Sequence, residues 1–390
     1  MKSLYAKSLG AALAAFLIAG SIEVASVLAG EKAQSKDAVA YQIDPAHSGE
    51  IDFASGFTTP LALAWSVPVS DYTMNYPLIV EGKVIVNSRS LNDYGSQIYA
   101  FDLSSGATLW HQLIGNLYGW SASAYDNGSV FLVDENGQLE ALRAKSGKPE
   151  WLIQLANMGT FSAPPTASNG RIFVSGSNSE LYSVDESSGN IEWTAGVTGG
   201  DNSSPTVTVR GVYASYSCQI YDFATDTGKL LWHVDEGGGG GGGETSIFYD
   251  KRLYVSDPFC GNLILDAKKG RNEGTFAANM PPAFFKDSQN INYGVAVNNG
   301  GLYAFSLATG NTAWTFAGDG ELDTAPIVIN GLIIVGSSSG NLYVVDGATG
   351  SEDWSTYMGA PIVGMNAGEG TLIVLAGAKV SAFVPQTSRR

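Results

Sequence analysis

The sequence is poor in the residues that metal, redox and nucleic-acid chemistry draw on. It holds 2 cysteines, too few for a disulfide-dense scaffold or a Cys-rich metal site. Its 3 histidines, His47, His111 and His233, form neither an HExxH pair nor a facial triad. Only 15% of the chain is charged, and basic residues are outnumbered 21 to 37, giving a formal net charge of −16. Nucleic acids and anionic membranes are gripped by clustered Lys and Arg, so the charge balance argues against both as partners. Long apolar runs are missing after the N-terminal segment, so no transmembrane segment is expected in the mature chain.

What is abundant points to strands and turns. The chain of 390 residues is 44% hydrophobic and 11% aromatic, enough to bury a sizeable core, and 48 residues are glycine. Residues 1–29 read as a secretory signal peptide. Lys2 and Lys7 form a basic start, Leu9 to Ala19 an apolar stretch too short to span a bilayer, and Val27-Leu28-Ala29 a cleavage context. Leu28-Ala29-Gly30 resembles a lipobox, but Glu31 stands where the lipid-bearing cysteine belongs, which excludes lipidation there. The mature protein is therefore expected to be periplasmic or extracellular, without a lipid anchor. Residues 30–60 form a polar leader, expected to lie across the outside of the ring or to stay mobile.

Internal repetition decides the architecture. Ile98-Tyr-Ala-Phe-Asp-Leu-Ser-Ser-Gly106-Ala-Thr-Leu-Trp110 recurs as Leu139…Gly147…Trp151, Leu181…Gly189…Trp193, Ile220…Gly228…Trp232, Leu302…Gly310…Trp314 and Leu342…Gly350…Trp354. A degenerate copy runs through Asp266 and Gly270, with Gly274 where Trp is expected. The marker glycines 106, 147, 189, 228, 270, 310 and 350 are spaced by 41, 42, 39, 42, 40 and 40 residues. Each unit reads as strand, Gly turn and Trp-bearing return strand, with two further strands upstream; Asn330-Gly331 is a hairpin signal between two of these. About 41 residues per four-stranded unit matches a β-propeller blade.

The ends predict closure. Val380-Ser-Ala-Phe-Val384 repeats the first strand with no Trp after it, and Leu61-Ala-Leu-Ala-Trp65 supplies a Trp strand with no partner before it. Joined, they make an eighth blade. The expected fold is an all-β, eight-bladed propeller of four-stranded antiparallel blades over residues 61–385, followed by a tail at 386–390. The seven tryptophans Trp65, Trp110, Trp151, Trp193, Trp232, Trp314 and Trp354 are expected to be structural.

The Ala-Phe-Asp-x-x-x-Gly-x-x-x-Trp pattern resembles the repeat of pyrroloquinoline-quinone-type propellers, known for tryptophan-docking motifs. The leader Tyr41-Gln-Ile-Asp-Pro-Ala-His-Ser-Gly49 resembles the start of many bacterial members. The resemblance implies two branches. One comprises quinoprotein dehydrogenases of alcohols or sugars, which bind the quinone (PQQ) and Ca2+ on the propeller axis. The other uses the ring as a non-catalytic platform and includes the propeller lipoprotein of the outer-membrane barrel-assembly machinery. The adjacent cysteine pair of many such alcohol dehydrogenases is missing, since Cys218 and Cys260 lie 42 apart. No acidic run has calcium-loop spacing.

These readings favour an exported protein-binding or envelope-assembly scaffold, with another envelope or secreted protein as partner and no catalytic residue, metal or cofactor of its own. The alternatives are a PQQ-dependent oxidoreductase and a cell-surface glycan binder. Cys218 and Cys260 precede the same strand in consecutive blades, so a disulfide is expected; two separate buried thiols is the alternative. Gly237–Gly243 reads as a loop between blades. The candidate partner-binding face is formed by connections holding Tyr72, Tyr76, Tyr118, Trp120, Phe161, Phe284, Phe285 and Tyr357, with the acids Asp319 and Glu321.

Overall fold

Every described strand belongs to one of eight sheets arranged as consecutive units of the repeat. The computed structural model describes residues 37–69, 72–73, 76–89, 96–114, 122–155, 163–176, 179–199, 203–238 and 244–386. No helix occurs among them. Blade 2 is typical: Ala124–Asp126, Ser129–Val133, Gln138–Arg143 and Pro149–Gln154 run antiparallel from the inner to the outer strand. Blades 1 and 3–7 begin with inner strands at Leu78–Val80, Thr166–Ser168, Thr206–Val207, Ile247–Tyr249, Ala283–Lys286 and Ile327–Ile329.

The eighth blade is shared between the two ends of the chain, as expected. Ile362–Gly368, Thr371–Ala376 and Lys379–Pro385 supply three strands, and Leu61–Pro68 supplies the outer one. The register places Leu61 opposite Pro385 and Trp65 opposite Ala382. Trp65 thus occupies the position that Trp110 takes opposite Ala100 and Trp151 opposite Ala141.

Tryptophan and glycine seal the seams between blades. At six seams the indole of one blade packs on the marker glycine of the next. A Cβ on Gly106, Gly147, Gly189, Gly228, Gly270 or Gly350 would come within 2.5–2.9 Å of the ring of Trp65, Trp110, Trp151, Trp193, Trp232 or Trp314. These glycines also sit at φ between +66° and +72°, a turn conformation that L side chains avoid. Each of the six indoles donates to a carbonyl in that turn: Leu103, Ala144, Glu186, Thr225, Ala267 and Gly347 respectively, at 2.8–3.2 Å. The indole therefore buries apolar surface without orphaning its N–H.

Trp193→Ala should remove one seal and cost on the order of 3 kcal/mol, read as a clear fall in melting temperature. An unchanged melt would contradict the seam-packing account.

Candidate functional site: the axial channel and the loop face

Alternating strand direction sorts the connections onto two faces. Blade-to-blade connections and the turns between second and third strands share one face, the loop face. The remaining hairpins share the other.

The leader does not lie outside the ring; residues 38–53 run through its centre. The inner strand of each blade is an edge strand whose axis-facing N–H groups need acceptors. The leader provides them. Ala38 exchanges both backbone hydrogen bonds with Ile79 of blade 1, at 2.9 and 3.0 Å. Tyr125, Val207, Phe248 and Val328, on the inner strands of blades 2, 4, 5 and 7, donate to the carbonyls of Val39, Pro45, Ala46 and Gly49 at 2.7–3.0 Å. Glu50–Ile51 then pairs in parallel with Val328–Ile329. Side chains complete the circuit. Gln42 Nε2 donates to the Pro282 and Pro326 carbonyls at 3.1 and 3.3 Å, and Asn366 Nδ2 to those of Ala40 and Pro77 at 3.0 and 3.1 Å. His47 is fully buried, with its ring nitrogens 2.8 and 3.2 Å from the Tyr41 and Pro205 carbonyls. Burial pushes its pKa down against those hydrogen bonds. Phe53, Phe57 and Leu61 then anchor the exit of the leader among Ile327, Ile329 and Phe383, between blades 7 and 8.

At the level of the inner strands the centre is occupied by the chain's own backbone. Asp44, a leader carboxylate, accepts from Ser48 N–H and O–H. Among the described residues, one set of three metal-ligating side chains converges, Cys218, Asp257 and Cys260, and its sulfurs are joined to each other.

That disulfide ties blade 4 to blade 5 on the loop face, with a Cα–Cα distance of 5.4 Å. Buried Asp257 organises both turns by accepting from the N–H groups of Cys218, Phe259 and Cys260 at 2.6, 2.8 and 3.2 Å. Gly238, at the start of the glycine-rich loop, packs directly on Cys218.

The candidate face is only partly brought together. Tyr76, Phe284 and Phe285 are not on a rim. Tyr76 is buried and donates to the Ser123 carbonyl at 3.0 Å. Phe284 and Phe285 lie on the inner strand of blade 6, 0% and 2% exposed, and Phe284 stacks on Tyr249 with ring centroids 4.5 Å apart. They are core residues because the strand enters the sheet earlier than the sequence pattern signals. Tyr118, Trp120 and Phe161 lie outside the described residues. Tyr72 sits in a two-residue strand, Tyr72–Thr73, paired with Ser88–Arg89 of blade 1. Tyr357 is 67% exposed at the end of the outer strand of blade 7. Asp319 and Glu321 are exposed in the connection from blade 6 to blade 7. Partial burial pushes the Asp319 carboxyl up, but hydrogen bonds from Asn341, Ser339 and Ser337 outweigh it and hold it at about 2. Asp319 is therefore a fixed negative charge.

One buried acid carried no sequence signal beyond its place in the repeat. Asp222 stands opposite Trp232, where other blades have Ala100, Ala141, Ser183, Ala304 or Ala382. It is 3% exposed, its Oδ1 has no partner, and Gly211 leaves the space that oxygen fills. Burial raises its pKa to about 7 despite nearby Arg210. Burial likewise raises Glu50 in the leader to about 7.

Two outcomes follow for solution work. Denatured without reductant, the chain should expose no free thiol; two would refute the disulfide, whose 42-residue loop stabilises by about 4 kcal/mol on the chain-entropy account. For Asp222 the folded pKa exceeds the unfolded one, so the folded state holds the proton more tightly. Stability is then fully present below about pH 4 and is lost as pH rises towards 7. Asp222→Asn should flatten that slope and melt higher than wild type at pH 8, by about 2 kcal/mol, when melts are compared across pH.

The pattern of the PQQ-repeat family described as outer membrane protein assembly factor BamB matches residues 61–151, 94–218, 136–280 and 217–390. The crystal structure of BamB from Moraxella catarrhalis superposes with a TM-score of 0.64 at 17% identity, covering 83% of this chain and 100% of that one. Quinohemoprotein alcohol dehydrogenase from Comamonas testosteroni superposes with a TM-score of 0.71 at 14% identity, over 93% of this chain and 83% of the other. A europium-containing methanol dehydrogenase gives 0.69 at 15% identity, over 89% and 98%. These likenesses speak to fold alone. Among curated proteins, tetrathionate hydrolase from Acidithiobacillus ferrooxidans is 26% identical over 162 residues, which is 41% of this chain and 29% of that enzyme's length. With the family pattern matched from residue 61 to the last residue and eight blades in the ring, the chain belongs to the BamB-type family of PQQ-repeat propellers.

Proposed function

We propose that this protein is an exported, non-catalytic propeller that binds other envelope or secreted proteins and assists their assembly. The observation that carries the reading is the occupied axis. In the enzyme branch that the repeat resembles, a quinone and Ca2+ sit on that axis. Here inner-strand N–H groups of blades 1, 2, 4, 5 and 7 are bonded to leader carbonyls instead. Taking the leader out would orphan those groups and the buried amides of Gln42 and Asn366, so it is a structural hub and not a displaceable cover.

The loop face of blades 6 and 7 supports partner binding in this reading, because exposed Tyr357 stands opposite Asn341, whose amide donates to the fixed charge of Asp319. The family match adds weight to an assembly role. In this reading export rests on residues 1–29, which lie outside the described residues, and Glu31 in place of a lipid-bearing cysteine argues against lipidation at that position.

The test has two arms. Purified mature protein mixed with pyrroloquinoline quinone and Ca2+ should give no dye-linked oxidation of alcohols or sugars. Crosslinking in intact envelopes should capture partner proteins, and capture should weaken several-fold when Tyr357 is replaced by Ala. Quinone-dependent turnover, or capture indifferent to the loop face, defeats the reading.

A further inference from the structure

The repeat leaves one of its own docking sites empty. At the six sealed seams an indole lies on a marker glycine and donates to the carbonyl three residues before it. Between blades 5 and 6 the tryptophan position is Gly274, and the Cβ position of Gly310 has nothing within 4 Å. The matching carbonyl belongs to Leu307, and with Gly274 at the tryptophan position no indole of the described residues donates to it. Tyr254 stands where Phe131, Phe173 and Tyr213 face Trp151, Trp193 and Trp232 with ring centroids 5.9–6.1 Å apart.

The vacancy is real space. Ile264, opposite Gly274, and Phe276, whose ring lies 5.9 Å from that of Tyr254, fill part of it, yet a cavity of about 660 Å3 remains along the seam, with nothing on Gly310. Its walls are the rings of Tyr254, Phe276, Tyr303 and Phe305, the Ile264 side chain and the Gly310 turn. That size falls in the range of ligand sites, roughly 300–1,000 Å3. Flat aromatic walls, two glycines and a carbonyl that no described indole meets match one side chain best: a planar ring with a single N–H donor at its edge.

We propose that the blade 5–blade 6 seam receives a tryptophan side chain from a partner polypeptide. The same chain fills six equivalent slots with indole, each delivered from an extended strand, so the chemistry of the occupant is written six times in the molecule. A peptide strand is a better carrier than free indole. The outer strand of blade 5, Asn272–Thr275, has only four residues, with Asn272, Glu273 and Thr275 exposed beside the slot. Arg252 and Arg271 pair with Glu273 at 3.0 and 2.9 Å and give the rim a polar grip. The slot specifies one contact of the scaffold read above, and the two can fail separately. Partner capture through the loop face with no binding at this seam would remove the slot and leave the scaffold standing.

The experiment uses the mature full chain and three probes: a labelled eight-residue peptide of Ser and Thr with a central tryptophan, the same peptide with alanine in its place, and free indole. Anisotropy should show saturable binding of the tryptophan peptide, with a dissociation constant on the order of 1 mM or tighter. Binding should fall at least tenfold for the alanine peptide and for Ile264→Trp, which fills the slot from within. On the wild-type chain, a diazirine-bearing tryptophan peptide should crosslink within 254–277 and 303–312, a readout that needs no variant to fold. Equal binding of the alanine peptide, no binding, or crosslinks confined to other seams would overturn the proposal. Free indole binding at the seam without peptide binding would overturn its polypeptide source.

Discussion

A four-stranded blade has two faces to cover and cannot cover either alone. The indole laid on the next blade's glycine solves this. Each of the six sealing tryptophans belongs to the outer strand of one sheet but is bonded to a carbonyl of its neighbour, so six of the eight blades are finished only when the next is in place. The glycine is as necessary as the ring, because a Cβ at Gly147 or Gly228 would stand 2.5 Å from the indole. The ring must then close on itself, and Leu61–Pro68 beside Lys379–Pro385 does so with 7 residue pairs in register.

The centre poses the opposite problem. Eight inner strands present edge N–H groups towards the axis, where water or another chain must answer them. Residues 38–53 answer from within the same chain, and the buried Gln42, His47 and Asn366 side chains lock them in place. The leader is thus an axle whose carbonyls bond to the inner strands of blades 1, 2, 4, 5 and 7. It fills the centre at the level of the inner strands, which links the packing of the fold to the proposed reading.

The ring was legible in the sequence because tryptophan and glycine recur at a fixed spacing and each has a single structural use. Trp65 without a preceding strand and Val380-Ser-Ala-Phe-Val384 without a following one could only complete each other. The axle was not legible. Its bonds run through backbone carbonyls of Val39, Pro45, Ala46 and Gly49, which no side-chain pattern reports. Phe284 and Phe285 misled for a related reason: two adjacent aromatics after Pro281-Pro282 look like an exposed loop, but inner strands are short and begin right after such prolines. Asp222 hid in plain view, since in the repeat it reads as one more position and only its place opposite Trp232 makes it a buried acid.

The departures from the repeat gather in consecutive blades. Blade 4 carries Asp222, blade 5 lacks its tryptophan, and the disulfide joins the two. Blade 5 is therefore held covalently on one side and left unsealed on the other. Its sealing contact with blade 4 is intact, with Trp232 on Gly270 and bonded to Ala267, so the crosslink adds to a seam that is already closed. Of the eight seams, six carry the indole-on-glycine seal, the blade 7–blade 8 seam has Trp354 against Phe383, and the blade 5–blade 6 seam lacks its indole. Natural chains break their own local rules mainly where function asks for it. Blade 5 thus meets blade 4 through both the Trp232 seal and Cys218–Cys260, and meets blade 6 without an indole on Gly310.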